Sequence, residues 1–313
     1  MGMSLLEYAK GAGLNTKRGT IIELFAKSSE ILNAMTIETI KGSGVDYDQE
    51  AALPGVAFRG INEEYTASAG VINPMHDPLK IAGGTLDADS ALIKMFGSGI
   101  RAKHEAMKVK ALALKIARMV IKGDSQSDPR EFDGLQRRLA NDQLICATSG
   151  LTDSVGALSL TKVDEAIDQT ENPTHLIMNV KLRRLFTAAS RSTTTGVGAH
   201  ITETVDNWGR QVVKYAGLPI LNAGKDNTNT DILPLTETAG DSDADATSLY
   251  VVSFSDGHVE GIQNGPIEVK DLGLTDSGVI YRTLVEWLVG MALYHPRAAT
   301  RIWNISTATG IVA

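Results

Sequence analysis

The chain has 313 residues, of which 43% are hydrophobic and 21% are charged, and its 30 Lys and Arg against 37 Asp and Glu give a formal charge of -7. This composition is typical of a folded protein of about two domains, and it excludes a disordered chain and one embedded in a membrane. The negative charge also excludes a protein that binds phosphates over its whole surface, so any basic patch must be local.

We expect no targeting signal at the N-terminus. Residues 1–13, MGMSLLEYAKGAG, have neither the basic start nor the apolar run of a secretory signal peptide, and Leu6 stands where a myristoylation motif needs Ser or Thr. The protein should therefore be made in the cytoplasm. The next piece, RGTIIELFAKSSEILNAM, is amphipathic and predicts a short helix that becomes stable only against another surface.

Residues 37–84 predict extended ribbon and turns. They are rich in Gly, Pro and Asn, and short stretches such as Val45, Tyr47 and Gln49 alternate with the period of a strand. A segment of this length with so few large apolar residues cannot form a core, so it is either mobile or used for contact. We predict a projecting two-stranded hairpin.

Residues 87–122 predict the strongest helix, with Asp87 and Asp89 at the positive end of its dipole. Such a helix would be roughly 50 Å long and could serve as a spine. Its apolar stripe recurs at spacings of three, four and seven, and consists of Ile93, Phe96, Ile100, Met107, Leu114 and Ile121.

The same helix carries a basic face with a single acid, Glu105. This face either contacts nucleic acid weakly through phosphates or is a solvated surface whose charges pair with acids of adjacent elements. The basic residues are Lys94, Arg101, Lys103, Lys108, Lys110, Lys115, Arg118 and Lys122.

The chain after residue 123 predicts an α/β unit and then strands. A short helix carries Phe132, Leu135 and Leu139, and an α/β unit begins near residue 150. In that unit SLTKVDEAIDQT predicts a helix capped by Ser159 or Thr161, followed by the strand THLIMN, the helix NVKLRRLFTAAS, the flexible loop RSTTTGVGAHITET and the strand GLPILNA.

The C-terminal third predicts a surface loop at 222–248, in which Ile232, Leu233 and Leu235 are the large apolar residues, and then three strands. The first two strands are SLYVVSF and HVEGIQ. In the third, alternate residues share one face, namely Val279, Tyr281, Thr283, Val285, Trp287 and Val289.

The sequence contains no motif that specifies catalysis or a cofactor. Gly224, Lys225 and Asp226 do not complete a phosphate-binding loop, and Lys108 replaces the second His of a zinc motif that would begin at His104. Ser255, Asp256 and His258 fall in an SDG hairpin-turn signal, and the only cysteine, Cys146, is interpreted as buried packing. We therefore predict no cofactor, no metal and no enzymatic activity.

Several stretches together resemble one protein family. They are LPGVAFRGINEEY (53–65), the predicted helix with its flanks (90–124), FDGLQRRL (132–139), YAGLPIL (215–221), SLYVVSFSDGHVEGIQNGPIEVKDLG (248–273) and VIYRTLVEWLVGMALYHPRAATRI (279–302). In this order they resemble the major capsid proteins of tailed double-stranded DNA phages, whose fold is named after the Hong Kong 97 phage. The resemblance covers nearly the whole chain.

The resemblance implies an α+β fold of the Hong Kong 97 type. It implies an N-terminal arm at 1–35, an extended β-hairpin loop at 36–86, a peripheral domain with the spine helix at 87–149 and 255–313, and an α/β axial domain at 150–254. The chain would assemble with itself into pentamers and hexamers of an icosahedral shell around DNA, in a virion built in the bacterial cytoplasm. No membrane is involved.

Further partners and contacts also follow from the resemblance. Portal and decoration proteins are expected partners. Some relatives begin with a long cleaved scaffolding segment, but here the arm starts almost at Met1, so we expect either a separate scaffolding protein or direct self-assembly. Arg59, Glu63 and Glu64, near the ribbon's tip, are candidates for ion pairs with an adjacent subunit, and the basic spine face is a candidate interior surface. Two alternatives stay open: an encapsulin-like nanocompartment shell and a soluble hydrolase whose site converges only in three dimensions.

Overall fold

The computed structural model describes residues 3–4, 29–96, 99–147, 155–191, 201–205, 211–239, 242–306 and 310–312. Most of the predicted arm and much of the loop RSTTTGVGAHITET lie outside these ranges. The helices are α1 (Glu30–Ala34), α2 (Ser90–Phe96), α3 (Gly99–Lys122), α4 (Leu135–Arg138), α5 (Leu160–Gln169) and α6 (Val180–Arg191), with one 3-10 turn at Asn141–Gln143.

A two-stranded hairpin and a six-stranded sheet contain the first strands of the chain. The hairpin pairs β3 (Gly44–Ala52) with β4 (Val71–Pro78) in antiparallel register. The sheet has the order β1-β2-β13-β15-β14, with β5 on the other edge of β15. Its strands are β1 (Met3–Ser4), β2 (Thr36–Thr39), β5 (Lys80–Asp89), β13 (Val259–Gln263), β14 (Glu268–Leu274) and β15 (Ile280–Leu293).

An eight-stranded mixed sheet forms the second layer. Its order is β6-β16-β12-β7-β10-β9-β8, with β11 paired to β12. The β7–β10 and β6–β16 pairs are parallel. Its strands are β6 (Leu144–Cys146), β7 (His175–Met178), β8 (Ile201–Val205), β9 (Gln211–Tyr215), β10 (Leu218–Asn222), β11 (Glu237–Ala239), β12 (Ser242–Val252) and β16 (Ala299–Ile305).

The spine helix α3 lies between the two sheets. Its buried residues share one core with Trp287 of β15 and with Ile177 of β7. The next residue of β7, Met178, belongs to a second core that includes residues of α5 and α6. Because neighbouring strand residues point to opposite faces, the eight-stranded sheet is covered by α3 on one face and by α5 and α6 on the other.

The predicted spine helix is present but begins later than expected. Asp87 belongs to β5 and forms an ion pair with Arg282 of β15 (2.7 Å), so it does not start the helix. Asp89 does cap α2, since its Oδ1 accepts a hydrogen bond from the Ala91 amide at 2.7 Å. With 24 residues, α3 is roughly 36 Å long, shorter than the predicted 50 Å.

The apolar stripe predicted for the spine is confirmed at Ile121, is half-buried at Ile93 and Leu114, and is wrong at Met107. Ile121 is fully buried, whereas Met107 is 67% exposed. The side chains of Phe96 and Ile100 lie outside the described part. The face that is buried consists of Val109, Leu112, Ala113, Ile116, Ala117, Met119, Val120 and Ile121.

Four other predictions need correction. The segment 222–248 is not only loop, because β11 and the start of β12 lie in it, and Ile232 and Leu233 are buried. The SDG turn joins strands of different sheets and is therefore not a hairpin turn. Cys146 is only partly buried. Ser159 occupies the N-cap of α5, but its hydroxyl contacts that of Thr161 and makes no capping bond.

The predicted loop RSTTTGVGAHITET is also wrong at its end, because Ile201–Val205 form β8 and pair with β9. The following predictions are confirmed. Phe132, Leu135 and Leu139 are buried around α4, and the strand–helix pattern of the α/β unit appears as α5, β7, α6 and β10. In β15 the alternating face is buried from Thr283 onward. The fold class is α+β, as predicted.

Candidate functional site

The hairpin tip, residues 53–70, is exposed along its whole length. It presents large apolar side chains, among which Phe58 has no contact that reduces its exposure. The most exposed are Leu53, Val56, Phe58, Ile61 and Tyr65, and the adjoining strand adds Val71 and Ile72. A soluble monomer rarely exposes a contiguous apolar patch of this kind, so the tip has the character of a contact surface.

The three predicted contact residues lie in this tip. The Glu63 carboxylate accepts a hydrogen bond from the Gly60 amide at 2.7 Å, and Arg59 Nη1 donates to the Glu63 carbonyl at 3.2 Å. The Arg59 guanidinium also lies over the Tyr65 ring, 5.5 Å from its centroid. Asn62 adopts a positive φ of 68°, which tightens the turn. Glu64 is exposed beside them.

The base of the hairpin is fixed to β15 by a buried polar cluster, the hairpin-base cluster of Tyr47, Asp77, Arg138 and Leu293. Arg138 donates to both carboxylate oxygens of Asp77, at 2.7 and 2.5 Å. The Tyr47 hydroxyl lies within hydrogen-bond distance of two acceptors, Asp77 Oδ2 at 2.9 Å and the Leu293 carbonyl at 2.8 Å, between which its single proton is shared. The Asp77 side chain is 6% exposed, so this bidentate pair is almost removed from water.

The local sequence brings Arg138 into that position. Gly123 follows the last turn of α3, and Gly134 precedes α4. A Cβ atom at Gly134 would lie 2.5 Å from the Met119 carbonyl, so only glycine lets the two segments approach this closely. Arg138, the last residue of α4, then reaches Asp77 at the end of the hairpin.

Electrostatics in the hairpin-base cluster favour the charged pair. Burial alone would lower the pKa of Arg138, but the hydrogen bonds and charge of Asp77 raise it overall. Burial raises the pKa of Tyr47 well above its usual value, and the neighbouring Asp77 charge adds to this rise. Tyr47 is therefore a neutral donor at any physiological pH, and Asp77 with Arg138 is an ion pair.

The basic residues of the spine fall into two groups. Four of them face acids: Arg101 meets Asp271 (2.5 Å), Lys115 meets Glu131 (2.7 Å), Arg118 meets Asp226 (3.8 Å) and Lys122 meets Glu237 (2.9 Å). The other four are Lys94, Lys103 and Lys110, which are exposed, and Lys108, which is half-buried beside Gly84. The spine is thus a basic face about half neutralised by its neighbours.

A groove of about 700 Å³ runs along the spine between β5, the loop at 124–134 and the loop at 226–234. Its floor includes the apolar residues Leu112, Ile116 and Phe132. Its walls carry charges of both signs, including the pairs of Lys115 and Arg118 with Glu131 and Asp226. Mixed charge without converging nucleophiles gives this groove no evident chemistry.

The Ser255–His258 pair lacks the geometry of a catalytic triad. Ser255 Oγ lies 3.1 Å from His258 Nδ1, and Nδ1 also lies 3.3 Å from the Asp256 carbonyl. The other ring nitrogen, Nε2, is buried and has no hydrogen-bond partner among the described residues. A triad needs a carboxylate on one nitrogen and the serine on the other. These residues therefore form a structural turn.

Within the described ranges, no three His, Cys, Asp or Glu side chains converge to hold a metal ion. Among the helices that the structure describes, none combines the length and apolar character needed to cross a membrane.

His175 is the histidine that burial perturbs most clearly. Its ring lies beside Phe254, with centroids 5.6 Å apart, and burial lowers its pKa from 6.5 to about 4. The folded state therefore keeps His175 neutral where the unfolded chain already binds a proton, so its contribution to stability is lost as pH falls from 6.5 to 4.

We expect the lowered pKa of His175 to reduce the unfolding free energy by up to about 3 kcal/mol as the pH falls from 6.5 to 4. His175→Leu should flatten the pH dependence of the unfolding free energy measured with urea between pH 7 and 4. His104→Leu, at an exposed position of α3, is the control and should keep the wild-type profile. An unchanged profile in His175→Leu would show that other groups control acid stability.

Comparisons with known proteins agree with this architecture. Residues 13–157, nearly half of the chain, match the family model described as major capsid protein GP7. No curated protein matches the sequence significantly. The chain is a capsid shell protein. Such a protein is part of the particle and assembles with copies of itself.

Solved structures show the Hong Kong 97 type fold of this capsid protein. It is similar to the SrpI encapsulin of Synechococcus elongatus PCC 7942, with a TM-score of 0.65, 14% identity and coverage of 90% of this chain and 88% of that one. For the capsid of an empty GTA particle the TM-score is 0.60 and the identity 11%, with coverage of 88% of this chain and 89% of that one. For Microbacterium phage Oxtober96 the TM-score is 0.60 and the identity 12%, with coverage of 89% of this chain and 90% of that one.

Sequence reasoning missed the residues that fix the hairpin. Tyr47, Asp77 and Arg138 are separated by at least 30 positions, and nothing in their local patterns indicates a contact. Arg138 does lie in FDGLQRRL, one of the stretches that carry the family resemblance.

Proposed function

We propose that the chain is the major capsid protein of a tailed phage, which assembles into an icosahedral shell around double-stranded DNA in the cytoplasm of a bacterial host. The observation that carries this proposal is the hairpin tip, whose apolar residues are exposed in the single chain. Many copies arranged by symmetry offer each tip a partner surface, and repeated weak contacts then give a stable particle.

The domain roles follow the same proposal. Residues 1–35 act as an arm and 36–86 as the extended loop, and both contact neighbouring subunits. Residues 87–149 and 255–313 form the peripheral domain, and 150–254 form the axial domain around capsomer centres. The separate core that α5 and α6 form on one face of the eight-stranded sheet supports an axial unit, although β6 and β16 of the peripheral ranges also belong to that sheet.

Assembly of the purified chain tests the proposal. We expect the full chain, concentrated without other proteins or with a scaffolding protein from the same genome, to give closed particles of megadalton size in negative-stain images and by sedimentation. A small soluble oligomer under both conditions would contradict a shell function and favour the hydrolase alternative.

The contents of the particle separate a phage head from an encapsulin-like compartment, the alternative that the SrpI likeness favours. Particles recovered from producing cells should contain nuclease-protected double-stranded DNA. An enclosed protein cargo without DNA would instead support a nanocompartment. In either case further partners, such as portal and decoration proteins, would be identified by mass spectrometry of the same particles.

Arg59 offers a test of the inter-subunit ion pairs proposed for the tip. Arg59→Glu should prevent normal particles, because it reverses the positive charge that we expect to pair with an acidic side chain of the neighbouring subunit. The unfolding free energy of the single chain should stay within about 0.5 kcal/mol of the wild-type value. Arg130→Glu, a charge reversal at another exposed arginine in the loop beside α3, is the matched control. Normal particles from Arg59→Glu would remove Arg59 from the interface.

The spine remains a candidate interior surface only through part of its basic residues. Ion pairs occupy Arg101, Lys115, Arg118 and Lys122 within the chain. Contact with packaged DNA would therefore rest on Lys94, Lys103, Lys108 and Lys110. Such contact is independent of sequence and weakens with salt.

A further inference from the structure

The chain crosses between its two sheets at two loops that lie side by side. Residues 253–258 lead from β12 of the eight-stranded sheet to β13 of the six-stranded sheet, and residues 294–298 lead back from β15 to β16. Backbone hydrogen bonds join the loops, one of them from the Tyr294 amide to the His258 carbonyl at 2.9 Å. We call this pair of loops the sheet joint. A change in the angle between the two sheets would deform it.

The sheet joint also contacts the base of the hairpin. The ring of Tyr294 meets that of Tyr47 with centroids 5.0 Å apart, and Gln49 Nε2 donates to the Leu293 carbonyl at 3.1 Å. The hairpin, the six-stranded sheet and the eight-stranded sheet therefore meet at this place. A rearrangement of the sheet joint would be transmitted to the hairpin and to its exposed tip.

A buried carboxyl group lies at the sheet joint. Glu260, the second residue of β13, is only 2% exposed and accepts a hydrogen bond from the Gly257 amide at 2.6 Å. Its side chain is also hydrogen-bonded to that of Asp256, and the charge of Glu38 on the neighbouring strand β2 acts on it. A hydrogen bond between two carboxyl groups requires that one of them carries a proton. The sheet joint therefore contains a position where a proton is held between acids.

The surroundings of Glu260 favour its neutral form. Burial raises the pKa of Glu260 above its ordinary value, and Asp256 and Glu38 add to the rise, although the Gly257 amide lowers it. The folded chain thus binds this proton more tightly than the unfolded chain. The neutral carboxyl stabilises the sheet joint at low pH, and this contribution is lost as the pH rises through the pKa of Glu260 in the folded chain.

Other titratable groups that face the sheet joint act differently. The ring of His175 packs on the first loop, and burial lowers its pKa to about 4, so it is neutral above that pH. Burial raises the pKa of Tyr294 to about 12. His295 Nε2 lies 3.1 Å from Glu171, and its ring centroid lies 5.8 Å from that of His258. Because histidines commonly change charge between pH 5 and 8, these last two are the competing source of a pH response.

We propose that Glu260 is a proton-dependent latch of the sheet joint, which holds the two sheets and the hairpin in one arrangement when protonated and releases them when it loses the proton. The device lies within one chain and requires only its folded state, so it goes beyond the proposed function. In a particle it would make the shape of each subunit depend on pH.

Hydrogen–deuterium exchange of the full, unassembled chain at pH 5 and pH 7.5 tests this inference, after correction for the intrinsic pH dependence of amide exchange. In the wild-type chain, peptides covering 253–260 and 294–298 should be better protected at pH 5. Glu260→Gln is neutral and keeps an acceptor for the Gly257 amide, so its protection should be the same at both pH values. Glu38→Gln removes one facing charge and should reduce the difference without abolishing it.

Two control variants separate Glu260 from other groups. Asp276→Asn changes an exposed acid in the turn between β14 and β15, and His295→Gln removes a histidine of the second loop; both should keep the wild-type response. Circular dichroism verifies that each variant is folded, and if Glu260→Gln does not fold, Glu38→Gln decides.

Four results would overturn the inference. They are equal protection of the wild-type chain at both pH values, an unchanged response in Glu260→Gln, an unchanged response in Glu38→Gln, and loss of the response in His295→Gln. Particle formation by the wild-type chain, measured separately, reports on the shell function itself.

Discussion

Replacing Arg138 with Met should destabilise the chain by about 3–5 kcal/mol, the range found when one partner of a buried ion pair is removed. Asp77 would stay buried with its charge uncompensated, since Tyr47 supplies only a neutral hydrogen bond. Because Asp77 ends the hairpin and Arg138 ends α4, the loss should also free the hairpin from β15 and prevent assembly. Urea unfolding of the unassembled chain measures the first effect, and sedimentation measures the second.

The adjacent residue provides the control. Arg137 faces Asp124 at 3.8 Å with both side chains well exposed, so Arg137→Met should cost no more than about 1 kcal/mol and leave particles unaffected. A loss below 1 kcal/mol in Arg138→Met as well would mean that the hairpin is held mainly by backbone pairing and by the Tyr47–Tyr294 ring contact.

Replacing Phe58 with Ser should abolish particles without changing the stability of the single chain. The side chain is fully exposed, so its removal costs the isolated fold less than about 0.5 kcal/mol. In a shell the same side chain would be buried against a neighbour, where an aromatic anchor commonly contributes 2 kcal/mol or more to binding. Repetition of this loss over every contact of the particle makes the expected effect on assembly large.

Met107→Ser is the matched control, because Met107 is also a large apolar side chain on the surface but lies on the spine helix. It should assemble as the wild type does. Particles of normal yield and stability from Phe58→Ser, or equal failure of both variants, would contradict a specific role of the hairpin tip.

The sequence predicted the elements whose patterns are local. Examples are the alternation in β15 and the helical spacing of Val163 and Ala166 in α5. The ribbon predicted at 37–84 is confirmed as a hairpin over 44–78, whereas its two ends belong to β2 and β5 of the six-stranded sheet. These patterns, with the family resemblance, sufficed for the α+β class and for the shell function. The hairpin tip was also placed correctly, since its composition excludes a core of its own.

Contacts between distant segments were not predictable in the same way. Asp87 appeared to start a helix because acids favour helix N-termini, but pairing of β5 with β15 and the ion pair with Arg282 overrode that preference. The predicted apolar stripe of the spine was wrong at Met107 because α3 packs against its two sheets mainly through its C-terminal half, where its buried residues lie. Ion pairs such as Lys122 with Glu237 join residues far apart in sequence, so the neutralisation of the spine could not be inferred from its basic residues alone.

Hydrogen–deuterium exchange of residues 53–70, measured in the unassembled chain and in assembled particles, tests the central claim most directly. If the tip is buried only by another copy, its amides should exchange rapidly in the single chain and become protected when particles form. Slow exchange in a lone subunit, with the tip folded against its own chain, would contradict the account.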